Sequence, residues 1–368
     1  MKYYIIAGEA SGDLHASNLM KALAGKDPQA NYRFWGGDLM QAVGGKLVKH
    51  YRDLAFMGLI EVLKNIRTIF KNLRFCKEDI LAYQPDALIL VDYPGFNLRI
   101  AKWAHKKGIK VFYYISPQLW AWNSKRVHGI KRSVDYMYVI LPFEKDFYEQ
   151  YDYKVDFVGH PLLDAIKGIE WNEAFRQKNQ LDERPIVALL PGSRRQEINK
   201  MLEIMLTVVD RFKGYQFVIG GAPSIPLELY QAIIGNRKNV AIVQGQTYDL
   251  MQHAKAALVT SGTTTLETGL FRVPQIVCYK GNPLFYQIAK RIVNVKYIAL
   301  VNLILDRPLV KELIQHELNT DNLAKELQRL IDPANQAYFA QGYEELHAKL
   351  GHEGASERTA ELIVKALT

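Results

Sequence analysis

The sequence predicts an α/β protein built from two doubly wound, Rossmann-like halves. Three observations predict it. Short apolar strands alternate with helical stretches along most of the chain, the alternation pauses once and restarts, and several strands run into a glycine turn that opens a helix. At 368 residues the chain exceeds one ordinary α/β core and suits two domains. The expected bounds are 1–168 and 169–345, with a helical tail at 346–368. Two such halves imply a cleft between them, with ligands held at the carboxyl ends of the strands.

The strands of the first half are expected at 2–7, 32–35, 87–91, 110–115, 136–141 and 155–158. They are short runs dominated by apolar residues, many of them β-branched or aromatic. Helical stretches separate most of them, among them 14–23, 97–107 and 143–151. After Gly159-His160-Pro161 the pattern lapses through polar residues 168–184. It resumes with strands at 186–190, 216–219, 240–243, 256–260 and 275–279. The tail is helical in pattern with a break at 351–355, and its last stretch, 360–367, can pack on either half.

Composition narrows the class. Hydrophobic residues at 49% and charged residues at 23% describe a soluble globular protein. The net charge of +9 favours an anionic partner, whether nucleotide, phospholipid headgroup or nucleic acid. Cys76 and Cys278, the two cysteines, lie far apart in apolar surroundings and read as small buried hydrophobes in a reducing compartment. The first apolar run, at 3–7, is too short for a signal peptide, and no run reaches the length of a membrane span. A cytoplasmic location is expected.

Two stretches of the second half carry phosphate chemistry. Residues 186–197 read IVALLPGSRRQE: a buried strand, a Pro–Gly stop, and Ser193 placed to cap a helix holding Glu197. Free N–H groups and the positive helix end would point at one spot near Gly192, with Arg194 and Arg195 adding guanidinium forks. The same residues also read as an ordinary βα turn with two solvated arginines. Residues 256–269 read AALVTSGTTTLETG, so a strand turns at Ser261–Gly262 into a helix opening with Thr263, Thr264 and Thr265. Hydroxyls there suit phosphate oxygens, and Glu267 could take two ribose hydroxyls. Alternatively, Thr264 and Glu267 form a capping box with no ligand at all. Repetition of the turn at two strand ends of one half favours function.

The first half carries acids instead. The turn GEASGD at 8–13 places Glu9, Asp13 and, just beyond, His15 at a strand end. An acidic loop is a poor phosphate cradle and suits a sugar or acceptor, though a solvated glycine turn fits nearly as well. Asp92 closes the strand at 87–91 and could serve as general base, with Asn97 expected to cap the next helix. The tryptophans of SPQLWAW at 116–122 could stack on a sugar or fill the core.

In order along the chain, GEASGD (8–13), VDYPGFN (91–97), SPQLWAW (116–122), LPFEK (141–145), GHP (159–161), LLPGSR (189–194), SGTTTLE (261–267) and 290–312 resemble the lipid-A-disaccharide synthases. Nearly the whole chain is covered. The resemblance implies a GT-B glycosyltransferase, metal-independent and without a cofactor, in the cytoplasm at the inner membrane. It implies transfer from UDP-2,3-diacylglucosamine to 2,3-diacylglucosamine 1-phosphate (lipid X) in β-1,6 linkage, with inversion and release of UDP. The first domain then becomes the acceptor and membrane side, and the second the UDP-sugar side. Asp92 is implied as base, with Glu9 and His15 as weaker candidates on the same rim. The UDP set becomes Gly192, Ser193, Arg194, Ser261, Gly262, Thr263, Thr264, Glu267 and Asn302. Residues 54–75 add an apolar stripe flanked by Lys64, Arg67, Lys71 and Arg74, with Met57 and Phe70 as lipid-facing candidates. That pattern suits an anionic membrane surface, or a plain surface helix. Self-association into a homo-oligomer is compatible with all of this, and nucleic acid is not expected. Two rival readings are a UDP-sugar epimerase on the same fold and a non-catalytic nucleotide-sugar or nucleic-acid binding protein.

Overall fold

Why the strand runs are so uniformly apolar becomes plain from their pairing: every described strand pair is parallel. Parallel strands are joined by crossover helices that cover both faces of a sheet, so their residues lose contact with water on either side. The computed structural model describes residues 1–54, 66–283, 286–287, 291, 293 and 295–368. They fall into two compact units, Met1–Lys167 with Leu350–Thr368, and Gly168–Lys349.

The first unit runs β1 (Lys2–Ala7), α1 (Ala10–Lys26), β2 (Asn31–Gly36), α2 (Asp38–Val43), β3 (Lys46–His50), α3 (Ile66–Tyr83), β4 (Ala87–Val91), α4 (Pro94–Lys106), β5 (Val111–Tyr114), α5 (Leu119–Trp122), α6 (Val127–Lys131), β6 (Tyr136–Val139), α7 (Pro142–Glu149), β7 (Asp156–Phe157) and α8 (Pro161–Ile166). Its sheet order is β3-β2-β1-β4-β5-β6-β7, so the winding direction reverses between β1 and β4. Alternation along the strands builds two core layers. Tyr4, Ile6, Leu88 and Leu90 meet Cys76, Ile80 and Ile100 on one face. Tyr3, Ile5, Ile89 and Val91 meet Leu19, Met20 and Leu23 on the other.

The second unit runs α9 (Phe175–Lys178), β8 (Ile186–Leu190), α10 (Arg195–Met205), β9 (Gln216–Gly221), α11 (Leu227–Ile234), β10 (Val240–Gln244), α12 (Thr247–His253), β11 (Ala254–Thr260), α13 (Thr263–Leu270), β12 (Gln275–Tyr279), α14 (Leu300–Leu305), β13 (Lys311–Ile314), α15 (Thr320–Ile331) and α16 (Gln336–Leu350), the last residue of which counts with the first unit. Its order, β10-β9-β8-β11-β12-β13, reverses between β8 and β11. After α16 the chain returns to the first unit as α17 (Ala355–Leu367). There Asp164 accepts the amides of Gly354 (2.5 Å) and Ser356 (3.3 Å), and Arg358 Nε donates to the Val158 carbonyl at 2.8 Å. Ala360 and Ile363 of α17 join the core layer that holds Leu19 and Met20.

Two strands were not expected from the sequence. β3 and β13 each lie at one edge of their sheet. Lys46, Lys49 and His50 in one, and Lys311 and Glu312 in the other, break the apolar run because an edge strand keeps one side in water. No described helix is long and apolar enough to cross a membrane.

Candidate functional site

Strand order decides where a ligand can sit. Where the winding of a doubly wound sheet reverses, the two adjacent crossovers leave on opposite faces and open a crevice at the strand ends. In the first unit that point lies between the exits of β1 and β4, which bring Glu9 and Asp92 to one edge. In the second it lies between the exits of β8 and β11, which bring Gly192–Arg194 and Ser261–Thr263 together.

At the first crevice the backbone is held firmly. Asp92 and Tyr93 sit in the left-handed region, at φ 47° and 51°. The Tyr113 hydroxyl (2.6 Å) and the Asn97 side-chain amide (2.7 Å) both donate to the Asp92 carbonyl, while the Asp92 amide donates to the Tyr114 carbonyl at 3.0 Å. Asn97 is therefore a buried strap across strand ends and not the helix cap expected of it; Tyr93 holds the cap position of α4. Tyr93 lies over Gly8, where any Cβ would meet its ring at 2.3 Å, which explains that glycine. Burial, reinforced by the charge of Glu9, pushes the Asp92 carboxyl up to about 6. Glu9 is half-buried at the cap position of α1. Asp13 instead serves the fold. Only 2% exposed, it accepts the amides of Gly37 (2.7 Å), Leu39 (3.1 Å) and Met40 (3.2 Å) and so ties α1 to the start of α2. His15 lies within α1, held neutral because burial pushes its pKa down to about 4, and its Nδ1 has no hydrogen-bond partner among the described residues.

The second crevice contains a cavity of about 740 Å³. Gly192, Ser193, Arg194 and Glu197 line it from the β8 exit, and Ser261, Gly262, Thr263, Thr264 and Glu267 from the β11 exit. Gly192 takes φ +97°, and a Cβ there would lie 2.9 Å from Glu197 Oε2. The turn is longer than expected: α10 begins at Arg195 with Arg194 at the cap position, so Ser193 stays in the loop and caps nothing. Arg194, two-thirds exposed, reaches Glu197 at 3.0 Å. Arg195 is exposed and is not part of the cavity wall. Gly262 stands at the cap of α13, so Thr264 and Glu267 form no capping box; the Glu267 carboxylate accepts the Tyr248 hydroxyl at 3.0 Å and also hydrogen-bonds the Thr264 side chain. Burial raises the Glu267 carboxyl, and its hydrogen bonds with Tyr248 and Thr264 act against the rise.

Asn302 calls for a correction. It is fully buried, its amide donates to the Val310 carbonyl and to Glu312, both at 2.9 Å, and its oxygen accepts the Val310 amide at 3.0 Å. Both ends of the side chain are spent on holding the approach to β13, and it is not part of the cavity wall. Sequence reasoning in turn missed Gly245, Gln246 and Tyr248, which line the cavity from the β10 exit. The signal was present, as VAIVQ runs straight into Gly245.

The basic apolar stripe divides on α3. Leu73 is buried and Ile69 half-buried, whereas Phe70 is 60% exposed and Arg67, Lys71 and Arg74 face solvent. Arg74 donates to Glu78 at 2.8 Å. Met57 and Lys64 lie outside the described residues.

The fold has counterparts among solved structures. The UDP-GlcNAc 2-epimerase from Neisseria meningitidis, solved bound to UDP-GlcNAc, superposes with a TM-score of 0.65 over 100% of this chain and 99% of its own, at 14% identity. The glycotransferase of kitacinnamycin superposes with a TM-score of 0.66 over 100% of this chain and 99% of its own, also at 14% identity. At such identities the likeness shows the fold, that of the GT-B class, and nothing of the reaction. Sequence separates the two possibilities. The lipid-A-disaccharide synthase of Geobacter metallireducens is 39% identical over 370 residues, spanning 99% of this chain and 96% of that protein. Residues 3–367 match the lipid-A-disaccharide synthetase family as a whole, and the chain belongs to that family.

Proposed function

We propose that this chain transfers the sugar of UDP-2,3-diacylglucosamine to the 6-hydroxyl of 2,3-diacylglucosamine 1-phosphate, forming a β-1,6 disaccharide and releasing UDP. The observation that carries the reading is the cavity of about 740 Å³ at the second crevice, where two helix starts, Arg194 and a glutamate converge. Helix N-termini and a guanidinium suit a diphosphate, and the Glu267 carboxylate suits the ribose hydroxyls. Diphosphate charge develops as the sugar–oxygen bond breaks, so the donors that bind UDP also stabilise its departure. In this reading Asp92 takes the proton of the acceptor hydroxyl as its oxygen attacks C1 of the donor sugar. Inversion follows from that single displacement, and Glu9 stays a charged neighbour that keeps Asp92 basic.

The substrates carry acyl chains, and α3 supports a seat at an anionic membrane surface through Phe70, Arg67, Lys71 and Arg74. The cytoplasmic face of the inner membrane, where UDP-sugars are available, is the location this implies. Incubating purified protein with UDP-2,3-diacylglucosamine, with and without the 1-phosphate acceptor, tests the reaction. UDP and disaccharide should form only when both are present. Conversion of the UDP-sugar without acceptor would instead establish the epimerase reading.

A further inference from the structure

We propose that Glu144 is a positioning residue for the acceptor side of the reaction. Its single carboxylate clips the turn after β6 to the loop after β5 and so holds that loop next to the strand that fixes Asp92. The proposal rests on the first sheet's edge being the acceptor side.

Glu144 is 1% exposed, and a carboxylate so deep must be compensated by hydrogen bonds. Its two oxygens divide the work. Oε2 accepts the amides of Ile140 (3.2 Å) and Leu141 (3.0 Å), at the start of its own helix α7. Oε1 accepts the Ser116 hydroxyl and the Trp120 indole N–H (3.3 Å), from the loop that follows β5 and the short helix α5 it leads into. Capping α7 uses only the first oxygen. The second reaches across to the neighbouring strand's loop, which a cap has no need to do. All four partners are donors, so a group that accepts on every side is required; burial pushes the carboxyl up to about 7 and the four donors act against that rise.

The loop it grips is one that needs holding. The chain leaves β5 at Ile115, whose φ of +67° is a strained conformation for a β-branched residue. Strain of this kind persists where the surroundings over-determine it, and here the Ile115 amide donates to the Tyr138 carbonyl at 3.1 Å while Ser116 is anchored on Glu144. The same strand fixes Asp92 through Tyr113 and Tyr114. One backbone segment, residues 113–116, is thus hydrogen-bonded to Glu144 at one end and to the proposed base at the other. Trp120, half-buried and edge-on to Phe143 at 4.9 Å, and exposed Gln118 are what the clipped loop offers at that edge.

The test compares Ser116→Ala, Trp120→Phe and Glu144→Gln in steady-state kinetics, with UDP binding measured alongside. A glutamine can accept on one side only and sets its NH₂ against donors on the other. Trp120→Phe keeps a ring against Phe143 and removes only the N–H, so the fold is retained even where the glutamine variant unfolds. The expected result is an acceptor KM raised tenfold or more in the two loop variants, with UDP affinity unchanged. A merely structural role would lower the melting temperature and leave the acceptor KM where it was. Native acceptor KM in both loop variants, with the native enzyme still saturable by acceptor, overturns this proposal alone. Turnover by the native protein that is independent of acceptor overturns the reading of the edge, and this proposal with it.

Discussion

Asp92→Asn should separate activity from stability in opposite directions. The substitution is isosteric, and at φ 47° Asn is as well tolerated as Asp, so the strand exit keeps its shape. Burial and Glu9 raise the Asp92 carboxyl to about 6, which leaves it roughly nine-tenths ionised at pH 7 and therefore competent as a base. Turnover should fall about tenfold per pH unit below that value, and the asparagine variant should lose a factor of about 10²–10⁴. Stability moves the other way. Between about 4 and 6 the folded protein keeps a proton that the unfolded chain releases, so stability falls as pH rises through that window and then levels off. With partial solvent access allowed for, the ionised group costs on the order of 2 kcal/mol at pH 7. Removing the charge should raise the melting temperature by roughly a few degrees and flatten that pH dependence. UDP release followed against pH, beside thermal unfolding of the same samples, reads both quantities. An asparagine variant that turns over at the native rate, or one that is inactive because it melts earlier, refutes the assignment.

Three further outcomes follow from the same geometry. Arg194→Ala removes a charge-assisted contact and should weaken UDP binding by about 1.5–3 kcal/mol, some tenfold to a hundredfold by titration calorimetry; native affinity in the folded variant would take Arg194 out of the site. Asp13→Ala strips three amides of their acceptor in a buried turn, and thermal or urea unfolding should register a loss of about 3 kcal/mol or more, with no such loss meaning the turn is held by other contacts. Changing Arg67, Lys71 and Arg74 to Ser should release the protein from anionic vesicles, at about 1 kcal/mol per basic residue near the surface. Retained, salt-insensitive co-sedimentation would remove α3 from the account.

What was legible in the sequence tracks what burial imposes on it. Strands such as Ile186–Leu190 and Ala87–Val91 are covered on both faces, so nothing dilutes their apolar run and their limits can be read directly. β3 and β13 carry lysines because one side of an edge strand meets water, and their pattern is that of a loop. Within the sites, the turns were legible because glycine and proline mark them, but the partners of individual side chains were not. Thr264 and Glu267 have capping-box spacing and their side chains do meet, yet the cap is Gly262 and Glu267 also takes the hydroxyl of Tyr248, nineteen positions earlier and on another strand's exit. Asn302 lies in a stretch that resembles the family and is nonetheless consumed by Val310 and Glu312. Glu144 was visible only as a letter in LPFEK, because its second set of partners comes from Ser116 and Trp120 on a different loop. Spacing along the chain cannot report a hydrogen bond made across strands.

The two sheets share one topological device and furnish it with different groups. Each has a single reversal of winding, between β1 and β4 in one and between β8 and β11 in the other, and each reversal gathers two strand exits. The first gathers carboxylates: Glu9 and Asp92 face a common crevice, and the charge of one raises the pKa of the other. A diphosphate would be repelled there, whereas an alcohol whose proton must leave is served by it. The second gathers Arg194, hydroxyls and two helix starts beside Glu197 and Glu267, donors that suit a diphosphate together with acceptors that suit sugar hydroxyls. A transferase that joins an uncharged hydroxyl to a sugar leaving with UDP needs both kinds of site, and an epimerase acting on one UDP-sugar has no use for an acceptor-binding edge. Dependence of turnover on a second sugar substrate is thus what separates a transferase from an epimerase on this fold.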